Sequence, residues 1–454
     1  MALDRPHAGP LPVGVPAPDA PLGFWQSYRT ARRNVLELIP QAAYREPVLS
    51  GGTGPGWIML MDPPAIETVL KDRETDFPKS AILKRLMTPR EGGNLIVAEG
   101  HDWRRQRRAL SPAFVPRALE AAAPPMTRAA EGAAATLAAA SDDPVDVFPV
   151  MVGATCDVIC DVALSGRETM DRAALAAAVD RFIATVGRIS ILDLMRAPNW
   201  VPRPGAIGAR RRAMDDRVDA IIAARRARGP SDPPDLLDLI IDSAGPDPDR
   251  AALAEARNNL NGFLFAGHET TALALTWALY LVALDPDVQD RARAAAQDVL
   301  GDRAAGYGDL DALGYHRQIV EEALRLYPPA GFLTRTAMAE MDLAGRPVRR
   351  GTTVILPVYA LHRHANLWDA PETFAPDRFA PEAAAARHRY AFLPFGGGPR
   401  ICIGWAFAMM EAQIILATLL ARYRFALPEG FTPDPRMWFT LRPGTGMPLR
   451  VTRV

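Results

Sequence analysis

The chain has 454 residues, of which 49% are hydrophobic, and its 52 basic and 52 acidic residues give a formal net charge of zero. Length alone predicts two or three domains, and the hydrophobic content is ample for a large core. The balanced charge gives no reason to expect nucleic acid or another strongly charged partner. Three cysteines in so long a chain argue against a disulfide framework and predict a reducing, cytoplasmic location.

Residues 1–21 are rich in proline and glycine, and Asp4 and Arg5 interrupt them early. No basic start is followed by an apolar run, so the segment is not a signal peptide, and we predict that it is flexible or lies along the surface. The most apolar long segment, Thr270 to Leu284, has about 15 residues, fewer than a bilayer-spanning helix needs. The sequence therefore predicts no membrane anchor.

The chain after residue 21 is predicted to be mainly α with a small β region. The expected helices are Arg117–Leu137, Val147–Leu164, Asp171–Val186, Ala209–Arg228, Leu236–Ser243, Pro248–Leu284 and Trp405–Leu420. Strand patterns are sparser, at Trp57–Met61, Met341–Leu343 with Val348, and Thr353–Val358. These strands flank the helical part and can pair into a small sheet.

Two cysteines, Cys156 and Cys160, lie one turn apart on an apolar helical segment. A metal pair is conceivable, but no nearby histidine or cysteine completes it, so we interpret both as buried small hydrophobic residues. An arginine cluster occupies residues 103–108, where Trp103 and Arg107 share a helix face. Such a cluster can indicate a nucleic-acid patch, but four charges in a chain of zero net charge make that weak.

The helix expected over Pro248–Leu284 would be about 50 Å long. Its middle, residues 266–271, reads Ala-Gly-His-Glu-Thr-Thr, which is unusual because glycine and threonine weaken helices. The Thr270 hydroxyl can bond the Ala266 carbonyl and open or bend the helix there. The result would be a niche for a diatomic ligand with a proton path through Glu269. The alternative for Glu269 is a solvated or salt-bridged helix acid.

Near the C-terminus, residues 395–404 read Phe-Gly-Gly-Gly-Pro-Arg-Ile-Cys-Ile-Gly. A thiolate binds metal, so we expect this loop and the following helix to lower the pKa of Cys402 from about 8.5. The glycines let the backbone approach a planar ligand closely. Arg400 suits a carboxylate on that ligand, and Phe395 offers a flat apolar surface. Haem meets these demands; the alternative is a buried or regulatory cysteine.

This string matches Phe-Gly-x-Gly-x-Arg-x-Cys-x-Gly at every fixed position, and with it the chain resembles the cytochrome P450 family, whose haem-binding signature it is. Three further blocks agree in order and spacing, namely residues 266–271, the Glu322-x-x-Arg325 pair with Arg378 downstream, and Trp103-x-x-x-Arg107. The match runs from about residue 45 to the end. It implies one P450 domain over 22–454, with haem between the long central helix and the cysteine-loop helix.

The resemblance implies a role for each matched residue. Cys402 would be the axial thiolate ligand of haem b, and Thr270 and Glu269 would manage oxygen and protons. Trp103, Arg107, Arg335 and Arg400 would surround the two haem propionates, with Phe395 packing nearby. Glu322, Arg325 and Arg378 would belong to the scaffold, and His268, which is variable in the family, would be a pocket or packing residue.

The function implied is a haem-thiolate monooxygenase that inserts one atom of O₂ into a lipophilic small molecule by hydroxylation or O-dealkylation. The chain ends soon after the haem-side elements, so we expect electrons from a separate ferredoxin or flavodoxin with an NAD(P)H reductase. Arg104, Arg105 and Arg108 would help to dock that acidic partner. The alternatives are a peroxide-using peroxygenase, whose relatives typically lose the acid–threonine pair, and a haem-based sensor or binding protein.

The substrate is defined only loosely by the sequence. Asn258, Asn259, Asn261, Phe263 and Phe265 precede the oxygen niche and are expected to line a pocket of apolar walls with a few amides. The Arg-Leu-Tyr-Pro-Pro string resembles branches that take fatty acids, alkanes and other lipophilic compounds. The region Met195 to Ile207 is expected to form a loop over the distal side, where the family has a substrate lid.

Overall fold

A computed structural model describes residues 11–52, 54–87, 93–139, 144–164, 172, 177–179 and 207–454. The helix predicted over Asp171–Val186 and the loop predicted over Met195–Ile207 fall largely outside these ranges. The helices are α1 (Phe24–Arg33), α2 (Pro63–Glu67), α3 (Ala81–Met87), α4 (Gly100–Leu110), α5 (Pro116–Ala138), α6 (Val147–Ala163), α7 (Ile207–Arg228), α8 (Leu236–Ser243), α9 (Arg250–Leu284), α10 (Pro286–Leu300), α11 (Gly314–Leu326), α12 (Val358–Leu361), α13 (Pro381–Ala386) and α14 (Trp405–Arg422).

The centre of the molecule is α9, a continuous helix of 35 residues that is about 52 Å long. Asp249 caps its start by accepting a hydrogen bond from the Ala252 N–H, and Pro286 follows its end. From Ala272 to Val282 every residue is buried, and the helices α6, α11 and α14 pack against α9. The predicted central helix is therefore confirmed.

The strands form small sheets at the edge of the helical mass. They are β1 (Val48–Gly51), β2 (Trp57–Leu60), β3 (Val145–Asp146), β4 (Leu333–Thr336), β5 (Met341–Leu343), β6 (Arg346–Val348), β7 (Thr353–Leu356), β8 (Tyr423–Ala426), β9 (Pro435–Met437), β10 (Leu441–Pro443) and β11 (Pro448–Arg453). The main sheet has the order β1-β2-β7-β4, and β2 runs parallel to β7 with Ile58 opposite Val354. The three strand patterns read from the sequence are confirmed, but they do not form one sheet: β2 pairs with β7, whereas β5 and β6 pair only with each other.

A buried ion-pair network joins α11 to the segment that contains Arg378. Arg325 Nε donates to Glu322 Oε2 at 2.6 Å, and both side chains have no exposed surface. Arg378 Nε lies 3.4 Å from Glu322 Oε1. Arg325 also donates to the carbonyls of His362, Pro371 and Thr373, so its guanidinium is saturated with acceptors. The predicted scaffold pair and its second arginine are in place.

The described part of the N-terminal segment lies along the core surface. The Val13 N–H donates to the Tyr280 hydroxyl at 3.2 Å, and the Tyr327 hydroxyl donates to the Val13 carbonyl at 2.7 Å. The Val15 N–H donates to the Tyr359 hydroxyl. Among the described helices, α14 is long and apolar enough to cross a membrane, but 72% of it is buried inside the protein, so it is a core helix.

Candidate active site

A cavity of about 390 Å³ lies between α9 and the loop that precedes α14. One face of α9 forms its roof, and residues 394–404 form its floor. Phe114, Ile159, Val162 and Leu324 contribute apolar side walls. Its size is that of a pocket for a small molecule, and its walls are predominantly apolar. The structure thus brings the cysteine loop and the middle of the long helix to one chamber.

Main-chain contacts fix the cysteine loop. Gly396 and Gly398 have φ values of 73° and 65°, which favour glycine. A Cβ at Gly398 would lie 1.9 Å from the Leu70 carbonyl oxygen, so only a glycine allows this close approach. The Cys402 N–H donates to the Phe395 carbonyl at 2.9 Å and closes the loop. Phe395 and Cys402 both line the cavity floor.

The surface that Cys402 exposes lines the cavity, while protein atoms surround the rest of the side chain. This burial raises the pKa of the thiol, opposed by a hydrogen bond from the Gly404 backbone and by the charge of Arg107. The expectation that the loop itself lowers the pKa of Cys402 is therefore wrong. In the chain itself, desolvation outweighs the hydrogen bond and the charge that favour the thiolate.

Four cations line one edge of the cavity: Lys79, Arg107, Arg335 and Arg400. Lys79 and Arg335 are bridged through their backbones, and Arg335 is only 4% exposed. Burial and the charge of Arg400 help to lower the pKa of Arg335 to about 10, and burial beside Arg335 lowers the pKa of Lys79 well below its usual value. Neither makes an ion pair within the described chain, so this edge is suited to an acidic ligand.

Arg400 and Arg107 already have protein partners. Arg400 donates to the Glu74 carboxylate at 2.7 Å, to the Glu99 carboxylate and to the Ala98 carbonyl, and its guanidinium stacks 4.0 Å from the Trp103 ring. Arg107 donates to the Ile401 carbonyl at 2.9 Å, which ties α4 to the cysteine loop. Trp103 lines the cavity beside them. The structure therefore gathers Trp103, Arg107, Arg335 and Arg400 at one edge, as the sequence predicted.

The roof above the cysteine is the segment 266–271 of α9. The Thr270 hydroxyl donates to the Ala266 carbonyl at 2.7 Å, which confirms that predicted bond, although the helix continues without a break. A Cβ at Gly267 would lie 2.9 Å from Ile159 Cδ1, so α6 packs closely here. Ala266, Gly267, Thr270 and Thr271 all line the cavity. His268 is buried outside that lining, as a packing residue would be.

Glu269 is turned away from the cavity towards the C-terminal hairpin. Its carboxylate accepts hydrogen bonds from the Thr440 hydroxyl at 2.9 Å and from the Arg442 guanidinium. Glu269 is 1% exposed, whereas the side chain of Arg442 is 17% exposed. The structure thus shows the salt-bridged arrangement that the sequence left as an alternative for this acid.

Two residues that face the cavity were not singled out by the sequence analysis. Lys79 precedes α3 with no motif around it. Glu411 on α14 is 1% exposed and contacts Thr271, and burial raises its pKa to about 8. One local signal was available for Glu411, because an acid inside a largely apolar helix is unusual.

The comparisons with known proteins agree with this geometry. The family model described as cytochrome P450 matches residues 50–449. The chain belongs to the cytochrome P450 family. It is 33% identical to cyclooctatin synthase of Streptomyces melanosporofaciens over 81% of this chain and 80% of that protein. It is 32% identical to cytokinin hydroxylase of Arabidopsis thaliana over 79% of this chain and 71% of that protein. The crystal structure of the cytochrome P450DA heme domain superposes with a TM-score of 0.77 and 25% identity, covering 96% and 92% of the two chains.

This P450 therefore is an oxidoreductase of the monooxygenase type with a haem-thiolate cofactor, and the site fits that cofactor. The cavity has a thiol on its floor, a glycine loop too tight for side chains, and at one edge two cations, Lys79 and Arg335, that make no ion pair with any described residue. Haem has an iron that takes an axial cysteine, and its two carboxylates match those cations. Asn259 and Phe263 line the same P450 cavity, whereas Asn258, Asn261 and Phe265 line a smaller neighbouring cavity.

Proposed function

We propose that this P450 inserts one oxygen atom from O₂ into an unactivated bond of a lipophilic small molecule and receives its electrons from a separate carrier protein. The observation that supports this most is that the Cys402 thiol and the Thr270 hydroxyl line one apolar cavity. The haem-thiolate cofactor supplies the activation of O₂ when it is bound. The residues of the chain bind and orient that cofactor, exclude water and move protons.

In this proposal Cys402 would hold the haem iron, and Lys79, Arg107 and Arg335 would bind the haem carboxylates. Arg400 holds the Trp103 ring at the same edge while its own charge is balanced by Glu74 and Glu99. The cofactor and substrate together exclude water from the apolar chamber, which strengthens every polar contact inside it.

Proton delivery starts from the Thr270 hydroxyl and the Glu269 carboxylate. The Thr270 proton is directed to Ala266, so its oxygen can accept a hydrogen bond from a ligand or water in the cavity. Glu269 reaches the cavity only by rotating away from Arg442, whose partly exposed side chain leads to the surface. The acid therefore alternates between the hairpin and the cavity, and carries protons from one to the other.

The electron carrier is proposed to be acidic and to dock beside α4. Arg104 and Arg108 are exposed on this helix, whose Arg107 bonds to the cysteine loop. Arg105, expected from the sequence to join them, is instead paired with Glu255, because its Nη2 donates to both carboxylate oxygens of that residue. The docking surface is therefore assigned to Arg104 and Arg108.

The decisive experiment compares the purified haem protein with two variants. Cys402→Ser should lose the thiolate-type spectrum of the ferrous–CO complex. Thr270→Ala should keep that spectrum but release more hydrogen peroxide per electron pair consumed, because the cavity then lacks its hydroxyl. Full coupling in Thr270→Ala would contradict the proton assignment, and equal turnover with peroxide alone would contradict the use of O₂.

A further inference from the structure

The N-terminal helix α1 presents two aromatic side chains to solvent. Phe24 is 48% exposed and Trp25 is 64% exposed, and their rings meet edge to face with a centroid separation of 5.3 Å. The other large hydrophobic residues that are exposed in the described part of the chain are separated from one another in the sequence. Single exposed apolar residues are normal on a protein surface, whereas contiguous ones indicate an interaction site.

The remainder of α1 is basic. Its last two turns carry Arg29, Arg32 and Arg33, which are all exposed, and the helix contains no acidic residue. Trp25, Arg29 and Arg32 follow one another at intervals of four and three residues, so they lie on one face of the helix. The Arg32 guanidinium lies 5.9 Å from the centroid of the Tyr28 ring. The exposed face therefore has aromatic side chains at its start and cationic side chains along the rest of its length.

Two of these positive charges are not balanced by the described chain. Arg33 forms an ion pair with Glu37, and Asp434, the other acid whose charge acts on Arg33, has an arginine partner of its own. Arg29 and Arg32 make no ion pair with any described residue. Long arginine side chains can extend past apolar surface and keep their charged ends among polar groups. This face of α1 thus has the charge that an anionic surface requires.

The end of α1 is joined to the hairpin of β9 and β10. Asn34, which follows the last residue of the helix, donates from Nδ2 to the Pro435 carbonyl at 2.9 Å. Trp438 Nε1 donates to the Arg33 carbonyl at 3.0 Å. The same hairpin holds the Glu269 carboxylate. These bonds tie α1 to the body of the protein and leave its aromatic and basic face directed to the outside.

We propose that α1 binds the surface of an anionic lipid membrane, with Phe24 and Trp25 inserted among the headgroups and Arg29 and Arg32 beside the lipid phosphates. Helices of this kind bind through the apolar area that they bury and through attraction to anionic lipids. The helix has 10 residues, so it lies on the membrane and does not span it. The inference goes beyond the proposed function, whose chemistry does not depend on it, and it places the enzyme at the phase in which lipophilic substrates dissolve.

The test measures cosedimentation of the haem protein with vesicles made of equal parts of phosphatidylcholine and phosphatidylserine, and with vesicles of phosphatidylcholine alone. The wild type should bind the mixed vesicles, and should lose most of that binding on phosphatidylcholine alone or at high salt. A variant that combines Phe24→Ser and Trp25→Ser should bind the mixed vesicles about tenfold more weakly, because it buries no aromatic surface. A variant that combines Arg29→Gln and Arg32→Gln should lose about fivefold in binding for each charge removed.

Tyr307→Ser with Met338→Ser is the matched control for the aromatic pair, because these side chains are 39% and 44% exposed in other parts of the chain. Arg317→Gln on α11 is the control for the charges. Both controls should bind the mixed vesicles as the wild type does. No binding of the wild type to mixed vesicles, or binding that survives in both α1 variants, would overturn the inference. A dimer that the variant with Phe24→Ser and Trp25→Ser cannot form would also overturn it, since a second copy would then cover this face.

Discussion

The polar groups of the scaffold and those of the cavity differ in how completely they are paired. In the scaffold, Glu322 and Arg325 are fully buried, bonded to each other, and surrounded by further backbone partners. In the cavity, Arg335 and Lys79 make no ion pair with any described residue, and Asn259 Nδ2 is buried with no hydrogen-bond partner among those residues. The charges of the Glu322–Arg325 pair are therefore balanced by the chain itself, whereas the charges of Arg335 and Lys79 are left for a ligand of the cavity.

The largest expected effect comes from breaking the buried Glu322–Arg325 ion pair of the scaffold. Glu322→Gln removes the charge that balances Arg325 in a site with no solvent, and should destabilise the protein by about 3–5 kcal/mol. The expected result is loss of most of the haem-loaded protein, measured as the yield of holoprotein and the midpoint of chemical unfolding.

Arg317→Ala on the same helix is the control for that substitution. It breaks an exposed ion pair with Glu321 four residues away, which should change the free energy of unfolding by less than about 1 kcal/mol. Similar losses in the two variants would show that the burial of the network has no special importance.

A second effect concerns an acid in the cavity wall. The pKa of Glu411 is raised to about 8 by burial, so the folded protein retains its proton while the unfolded chain releases it above about 4.5. The free energy of unfolding therefore falls as the pH rises from about 4.5 to about 8. Glutamine at this position cannot titrate. Between pH 5 and 7.5 the free energy of unfolding of the wild type should therefore fall by up to about 3 kcal/mol more than that of Glu411→Gln.

The measurement is denaturant unfolding of both haem proteins at the two pH values. Parallel pH dependences of the wild type and Glu411→Gln would contradict the assignment of a buried, protonated carboxyl to this position.

The smallest of these effects concerns the unpaired cations. Lys79→Met and Arg335→Met each remove a charged donor that is expected to face a haem carboxylate, and should speed the transfer of haem to apomyoglobin about tenfold to a hundredfold. Lys84→Met is the control, since Lys84 lies 3.4 Å from Glu99 and does not line the cavity. Unchanged haem loss in both variants would remove Lys79 and Arg335 from the haem-binding set.

The parts of this molecule that the sequence predicted are those in which local spacing carries the information. The Thr270–Ala266 bond and the Glu322–Arg325 pair lie within one turn of a helix, and the cysteine loop is one continuous string. Helix α9 could be predicted because its capping residues and its length can be read from one continuous stretch of the sequence.

The parts that the sequence did not predict depend on segments far apart in the chain. Glu269 meets Arg442 across 173 positions, and nothing local indicates that this hairpin holds the acid. The direction of the Cys402 pKa shift was also missed, because desolvation sums the packing of every surrounding element while the helix dipole is visible in the sequence. Lys79 reaches the cavity only through its pairing with Arg335.

The contact between Gly398 and the Leu70 carbonyl has a consequence for engineering. The main chain of the cysteine loop packs directly against the main chain at Leu70, and this contact fixes the position of the Cys402 sulfur. Substitutions at the variable loop positions can therefore alter the electrostatics around the iron without moving its ligand. Attempts to shift the reduction potential of this enzyme should therefore begin at Pro399, which is exposed, rather than at Ile401 and Ile403, which line the cavity.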